Sequence, residues 1–143
     1  MKKYSQIFLL SAASLILTFG ITAAKIAAQE TDVRVTIKEA GMGTGVENRT
    51  LTGAGDTFEE GARIYFFTWI MGSREGDYVS HVWIHEEEEK FRIDLNTGGP
   101  SWRTWSYKTM HPGSTGDWRV QVEDKDGKVL DSMRFKCISW TSE

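Results

Sequence analysis

Cysteine is nearly absent from this chain of 143 residues, and Cys137 is the only one. A single cysteine excludes a disulfide framework and a zinc site built from cysteines. Histidine is also scarce, and two of the three histidines, His81 and His85, are four positions apart. On an extended strand four residues span about 13 Å, which is too far for one ion to bridge. The sequence therefore predicts no metal site, and nothing in it indicates a cofactor.

Helical periodicity is missing as well. No stretch repeats apolar residues at the 3.6-residue spacing of an amphipathic helix, and a parallel α/β fold would need crossover helices. Short apolar or alternating runs instead follow one another, separated by glycine-rich breaks, at 33–37, 47–51, 63–71, 78–85, 91–95, 102–110, 118–122 and 129–138. Turn signals every 8–12 residues or so are typical of a β-sandwich. The sequence thus predicts an all-β fold, an antiparallel Ig-like or fibronectin-like β-sandwich of seven to eight strands.

Two local features refine this expectation. Gly41, Gly43 and Gly45 are expected to end the first strand. The segment 124–127, Asp-Lys-Asp-Gly, is expected to form a hairpin turn whose glycine takes a positive φ.

The N-terminal segment has the pattern of an export signal. Two lysines precede a mostly apolar stretch at 7–21, and small residues follow up to Ala28. This pattern predicts a Sec-type signal peptide over residues 1–28, cleaved after Ala28 or after Ala24. The alternative is an uncleaved anchor over residues 7–24, near the lower length limit for a membrane span. Either way, residues 29–143 form a single domain outside the cytoplasm, periplasmic or extracellular, and the two-lysine start is typical of bacteria.

Basic residues are outnumbered in the predicted mature domain. Three of the 17 lysines and arginines lie in the signal segment, whereas all 20 acidic residues follow it, so the mature net charge is −6. Non-specific nucleic-acid binding needs a basic surface, and this balance argues against it. Membrane contact is expected only through the N-terminal segment if it is retained.

Tryptophan is abundant, with six residues that all lie between Trp69 and Trp140. In the run 63–71, Tyr65, Phe67 and Trp69 share one strand face, and the other face also carries large apolar side chains. A sandwich buries only one face of each strand in its core, so some of these side chains must lie outside the core. In the run 118–122, the shared face of Trp118, Val120 and Val122 is expected to be buried with Phe67 and Phe135.

The segment 102–108 is the most distinctive in the chain, with three aromatic rings, two cations and two aliphatic hydroxyl groups in seven residues. A guanidinium beside aromatic rings can stack on them or bind a carboxylate with two parallel hydrogen bonds. One interpretation is a ligand-binding surface formed by Trp102, Arg103, Trp105, Ser106 and Tyr107, with His81 beside them. The other is that Arg103 ties a loop to an acidic residue while the tryptophans cap the core.

Several motifs together resemble a known family. They are Phe67-Thr68, His81-Val82-Trp83, Gly-Pro-Ser-Trp-Arg-Thr-Trp-Ser at 99–106, Gly-Asp-Trp-Arg-Val-Gln-Val at 116–122, and Asp126-Gly127. The pattern extends from Val33 to about Cys137 and resembles domain-of-unknown-function family 2914, exported or membrane-anchored β-domains of bacteria. The resemblance implies one all-β module with no established enzymatic activity. At Glu86–Glu89, where relatives are expected to carry an Asn-Gly-like turn, this chain has four glutamates.

Enzymatic signatures are largely absent. No Gly-x-Ser-x-Gly nucleophile motif occurs, and the glycines at 41–45 lack the lysine of a phosphate loop. The sequence therefore predicts a non-catalytic binding or assembly module of the cell envelope that recognises a glycan or cell-wall ligand. A purely structural or protein-interaction domain is the alternative, and a small hydrolase with two converging carboxylates is the third hypothesis. The sequence does not indicate an oligomeric state.

Overall fold

The computed structural model describes residues 35–140, which contain ten β-strands and no helix. The predicted signal segment, its cleavage sites and the first residues of the predicted mature domain lie outside this range. The strands are β1 Thr36–Gly43, β2 Gly45–Glu47, β3 Thr50–Thr52, β4 Thr57–Glu59, β5 Arg63–Met71, β6 Tyr78–His85, β7 Glu88–Asn96, β8 Ser101–Thr109, β9 Gly116–Glu123 and β10 Val129–Ile138.

The strands form two packed layers and a small hairpin. One sheet has three strands in the order β1-β5-β8, the other has five in the order β4-β10-β9-β6-β7, and β2 pairs with β3. The predicted all-β sandwich is confirmed, although β4 pairs with β10 in parallel and every other pair is antiparallel. The strand count exceeds the prediction because β4 was not predicted and because the segment 47–51 is not one strand. Asn48 and Arg49 have positive φ angles of 49° and 61°, so the chain reverses there and forms the β2–β3 hairpin.

The first strand does not end at its glycines, which corrects the sequence-based expectation. β1 continues through Gly41 to Gly43, and these two residues pair with Phe67 and Tyr65 of β5. A Cβ atom on Gly41 would lie 2.6 Å from Leu51 of β3. The glycines are needed because the β2–β3 hairpin packs directly against this part of the sheet.

Aromatic and aliphatic side chains from both sheets fill the core. Trp118 and Phe135 stack with their ring centroids 5.8 Å apart, and Phe135 meets Trp83 edge to face at 6.2 Å. Val120 and Val122 are fully buried beside them, as predicted. The expectation for Phe67 is wrong in part, because Phe67 is buried on the other face of β5. It lies beneath the β2–β3 hairpin, outside the core cluster.

The four-glutamate segment forms a tight turn without glycine or asparagine. His85 pairs with Glu88, and the two residues between them, Glu86 and Glu87, have φ angles of 45° and 65°. Such angles are costly for non-glycine residues and require outside support. Glu86 provides it, since its backbone N–H donates to the Asp117 carbonyl at 3.0 Å and its Oε1 accepts from the Asp117 N–H at 2.8 Å.

We expect Trp118→Ala to lower the free energy of unfolding by about 3–5 kcal/mol, from lost apolar transfer energy and an unfilled cavity. The ring is 3% exposed and contacts Phe135 and His85 on either side. Urea unfolding followed by circular dichroism measures the change. Trp140→Ala is the control, because that side chain is 65% exposed, and it should change stability by less than about 0.5 kcal/mol. Equal losses in the two variants would contradict this account of the core.

Candidate functional site

Strand β8 divides the predicted site residues between two faces of its sheet. Arg103, Trp105 and Tyr107 pair with Trp69, Phe67 and Tyr65 of β5 and share their face, which points away from the five-stranded sheet. Ser106 pairs with Phe66, whose ring is in the core. Because side chains alternate along a strand, the six residues predicted to act together do not form one site, and five of them form two separate groups.

The exposed group is an aromatic and cationic surface, called here the outer surface, formed by Lys38, Arg63, Tyr65, Trp69, Arg103, Trp105 and Tyr107. Lys38 Nζ lies 3.7 Å and the Arg103 guanidinium carbon 3.6 Å from the Trp69 ring centroid. The Arg63 guanidinium carbon lies 4.7 Å from the Tyr107 ring. Each distance is within the range of a cation–π contact.

Two rings of the outer surface remain open to solvent. Trp105 is 36% and Tyr107 is 52% exposed, whereas their neighbour Phe67 is 2% exposed. The difference follows from the β2–β3 hairpin, since Leu51 packs on Gly41, the residue paired with Phe67. The hairpin therefore covers one part of the face and leaves Arg103, Trp105 and Tyr107 accessible.

The cations of the outer surface form no ion pair with a described acid, including Glu39, which pairs with Trp69. Among residues 35–140, no ion pair includes Lys38, Arg63 or Arg103. The opposite face of the molecule differs, because Arg92 lies 2.6 Å from Glu123 and 3.0 Å from Glu89. Hydrogen bonds to Glu89 and Glu123 raise the pKa of Arg92. The outer surface thus has a local positive charge on a domain whose overall charge is negative.

The buried group links the two sheets through hydrogen bonds. His81 of β6 is 0% exposed, with Nδ1 lying 2.9 Å from Ser106 Oγ and Nε2 lying 3.1 Å from Thr68 Oγ1. Trp83 Nε1 donates to Ser106 Oγ at 3.1 Å, and Thr68 donates to the Thr104 carbonyl at 3.5 Å.

With the Thr68 hydroxyl donating to the Thr104 carbonyl, one tautomer of a neutral His81 satisfies this network. Ser106 accepts from Trp83 and donates to His81 Nδ1, while His81 Nε2–H donates to Thr68. This arrangement requires a neutral imidazole, and burial lowers the pKa of His81 to about 3. His81 and Ser106 therefore do not accompany the exposed aromatics, which corrects the predicted site. Ser106, 5% exposed, is also closed to substrate although it contacts a histidine.

Trp102 lies apart from both groups. It pairs with Ile70 rather than with a residue of the outer surface, and its ring occupies the space that a Cβ on Gly98 would enter, at 2.5 Å. The Arg49 guanidinium carbon lies 5.7 Å from this ring. Trp102 therefore packs at the β7–β8 loop, and Arg103 and Trp105 face the other way.

Sequence reasoning missed Lys38 and Arg63 as parts of the surface. Lys38 lies at a bulge between Ile37 and Glu39 in β1, and Arg63 is at the start of β5. Each of these cations contacts an aromatic ring on a neighbouring strand, and such a contact depends on the pairing register between strands, which the sequence pattern does not give. The run 63–71 did contain a usable signal, because Tyr65 and Trp69 alternate on one face.

The described residues show no group of three or more histidine, cysteine or acidic side chains that could hold a metal ion. His85 is engaged elsewhere, with Nε2 lying 2.8 Å from the Thr115 carbonyl and its ring stacked on Trp118 at 4.4 Å. A surface depression of about 430 Å³ is lined by Asp56, Thr57, Asp117, Trp118, Arg134, Phe135 and Lys136. Two of its charged side chains form an ion pair, with Lys136 Nζ lying 3.4 Å from Asp117.

Two packed sheets of this topology define an immunoglobulin-like domain, and a comparison with solved structures agrees. The domain is similar to a crystal structure described as an immunoglobulin-like protein from Pseudomonas aeruginosa, with a TM-score of 0.55 and 13% identity. That match covers 76% of this chain and 99% of the other.

A family model described as "Protein of unknown function (DUF2914)" matches residues 76–137, from the approach to β6 into β10. The family resemblance predicted from the sequence is confirmed over this segment, while the Phe67-Thr68 motif precedes it. No curated protein matches the sequence. In the part of the chain that the structure describes, no helix has the length and apolarity to cross a membrane.

We expect the stability of the domain to fall as the pH drops below about 6.5, because the unfolded chain then binds a proton at His81 that the folded chain excludes down to about pH 3. Above pH 6.5 this contribution is fully present. Between pH 6.5 and 5 the slope approaches about 1.4 kcal/mol per pH unit for one such group.

Urea unfolding at a series of pH values measures this slope. His81→Gln keeps a donor and an acceptor without titrating, so its slope should be smaller. His111→Gln, at an exposed position, is the control and should keep the parent slope. An unchanged slope in His81→Gln would show that His81 is not the group responsible.

Proposed function

We propose that this domain is a non-catalytic binding module whose outer surface binds an anionic carbohydrate. The observation that carries the proposal is the combination of two open rings, Trp105 and Tyr107, with guanidinium groups that have no acidic partner among the described residues. The proposed site keeps Arg103, Trp105 and Tyr107 from the sequence-based prediction. It adds the remaining residues of the outer surface, which are Lys38, Arg63, Tyr65 and Trp69.

The open rings supply the apolar part of such a site. A flat ring with one exposed face stacks against the C–H groups of a sugar, and its polar edge stays hydrated. Tyr65 and Tyr107 lie with ring centroids 5.5 Å apart, so the aromatic area is continuous between β5 and β8. An exposed apolar area bordered by polar groups is typical of an interaction site.

The cations supply the charge preference. A guanidinium can bind a carboxylate with two parallel hydrogen bonds, which a lysine cannot reproduce. The contact of Arg103 with Trp69 holds the guanidinium against the sheet and limits its side-chain freedom. A uronic acid or another carboxylated sugar has both an apolar face for a ring and a carboxylate for Arg103.

We also propose that the domain acts outside the cytoplasm, in the cell envelope, where such glycans occur. This proposal depends on the predicted signal segment over residues 1–28. The alternative function is a structural or protein-interaction domain, which an immunoglobulin-like fold and a family of unknown function equally support. The contact of Trp69 with Lys38 and Arg103 favours that alternative, since it also stabilises the sheet.

We expect Arg103→Lys to weaken binding of carboxylated oligosaccharides by about 1.5–3 kcal/mol, because the bidentate contact is lost while the charge remains. Stability should change by no more than about 1 kcal/mol, because lysine keeps a cation that can contact the Trp69 ring. The measurements are a thermal melt and binding to a glycan panel with uronic-acid-containing and neutral oligosaccharides.

Arg134→Lys is the matched control, an exposed arginine on β10 of the other sheet, and it should bind as the parent does. If the parent binds nothing on the panel and Arg103→Lys is unstable, the surface is structural and the proposed function is wrong.

The export proposal has its own test. Mass spectrometry of the protein from its native cell envelope should find a new N-terminus near Lys25 or Gln29, because signal peptidase cleaves after small residues. An intact Met1 in the membrane fraction would instead identify a retained anchor. A full-length chain recovered from the cytoplasm would contradict export altogether.

A further inference from the structure

Strand β8 is one of the two edge strands of the three-stranded sheet. In the β5–β8 pairing, two bonds at the ends set the phase of the hydrogen-bond ladder, since Gly72 N–H donates to the Pro100 carbonyl at 2.8 Å and Met110 N–H to the Ala62 carbonyl at 2.9 Å. Both agree with the register of the strands between them. In an antiparallel pair, hydrogen-bonded positions alternate with positions whose backbone groups point away. The even-numbered residues of β8 therefore bond to β5, and the odd-numbered residues point their N–H and C=O groups outward.

These outward groups have no backbone partner in the part of the chain that the structure describes. Strand β8 pairs with β5 alone, and beyond that ladder only the Thr109 carbonyl accepts a further bond, from His111 N–H at 3.2 Å. Arg103, Trp105 and Tyr107 thus present consecutive unpaired donors and acceptors along the edge. Their side chains belong to the outer surface, with Trp105 and Tyr107 exposed and Arg103 half-buried.

The other described edges are short or interrupted by a bulge, and β8 is neither. Strand β7 has a bulge at Lys90 and exposed charges at Glu88, Glu89 and Arg92. Strand β1 has a bulge at Lys38, and β4 is three residues long. Bulges, charges and short length are the usual ways to block strand addition at an edge. Strand β8 runs for nine residues without a bulge, and its register with β5 is unbroken.

We propose that β8 pairs with β8 of a second copy of this chain, antiparallel about a twofold axis at Trp105. Trp105 is the middle residue of Ser101–Thr109, so this register overlaps the full strand. Arg103, Trp105 and Tyr107 would then exchange about six backbone hydrogen bonds with the partner. The two three-stranded sheets would join into one sheet with the outer surfaces side by side.

The side-chain pairing along β8 supports a second copy as the occupant. In this register Arg103 lies opposite Tyr107 of the partner subunit, a favourable cation–π pairing, and Lys108 lies opposite Trp102 of the partner subunit. No cation of β8 meets another cation. The proposal does not rest on carbohydrate binding, since it depends on backbone groups that a sugar bound to the rings leaves unpaired.

A disulfide test reports the register. In the full chain in mild detergent, Trp105→Cys should give a disulfide-linked dimer on mild oxidation, because opposed residues of a hydrogen-bonded pair have Cα atoms about 5.5 Å apart, within disulfide range. Tyr107→Cys is the matched control on the same strand. It lies opposite Arg103 rather than itself, about 13 Å from its own copy along the strand, and should not cross-link. The native Cys137 is buried and does not compete.

A second pair of variants separates backbone pairing from side-chain effects. Tyr107→Pro removes an outward N–H without removing a bond to β5, so sedimentation should shift from dimer to monomer. Tyr107→Ala keeps the N–H and should dissociate far less than Tyr107→Pro, although it loses the pairing with Arg103 of the partner subunit and a ring of the proposed carbohydrate site. A thermal melt of each variant verifies folding. If Tyr107→Pro does not fold, the comparison of Trp105→Cys with Tyr107→Cys tests the proposal instead.

The proposal is wrong if the parent chain sediments as a monomer, or if Trp105→Cys and Tyr107→Cys cross-link equally. A monomer that instead pairs with an extended peptide of another protein would also overturn it. Loss of glycan binding in a dimeric Tyr107→Ala would support the proposed function and leave the dimer intact, so the two proposals fail separately.

Discussion

The unbroken antiparallel pairing of β5 with β8 is the constraint on which the rest of the site depends. Along nine residues each side chain of one strand has a fixed neighbour on the other, and successive side chains point to opposite faces. This pairing places Arg103 beside Trp69 and Tyr107 beside Tyr65, while it directs Ser106 into the interior. The same register turns the odd-numbered backbone groups of β8 toward the edge. The outer surface, the buried network and the free edge are three consequences of one ladder.

The buried network explains how a sandwich with so many aromatic residues keeps a specific arrangement of its layers. Apolar packing alone tolerates several alignments of two sheets, whereas a neutral imidazole with two hydroxyl partners accepts one. His81 from the five-stranded sheet meets Thr68 and Ser106 from the three-stranded sheet. Each polar atom in the network has a partner, so burying it costs little and misalignment would leave groups unsatisfied. The same burial lowers the pKa of His81, because the charged imidazolium would lose its hydration in the interior.

Charge is distributed unevenly over the two sheets. On the five-stranded sheet, Arg92 and Arg119 lie near Glu89, Glu123 and Glu87, so cations and acids are paired. On the three-stranded sheet, cations lie over aromatic rings instead. A ring stabilises a cation without neutralising it, so the positive potential remains available to an anionic ligand.

The sequence by itself determined the fold class and most of the long strands, because alternation and glycine breaks are local signals. The runs 63–71, 78–85 and 129–138 have the same bounds as β5, β6 and β10, and Gly127 adopts the expected positive φ of 79°. Alternation along the strands also predicted that Trp118 and Phe135 lie in the core. The tertiary structure decided the path of β1, because the need for glycine at position 41 comes from Leu51 in the hairpin that follows. It also decided which aromatic face is covered and which cations reach it, since these depend on pairing between distant strands. His81 was predicted beside the ligand-binding residues but lies in the interior. An alternating strand has two faces, and only the position of the second sheet determines which of them is buried.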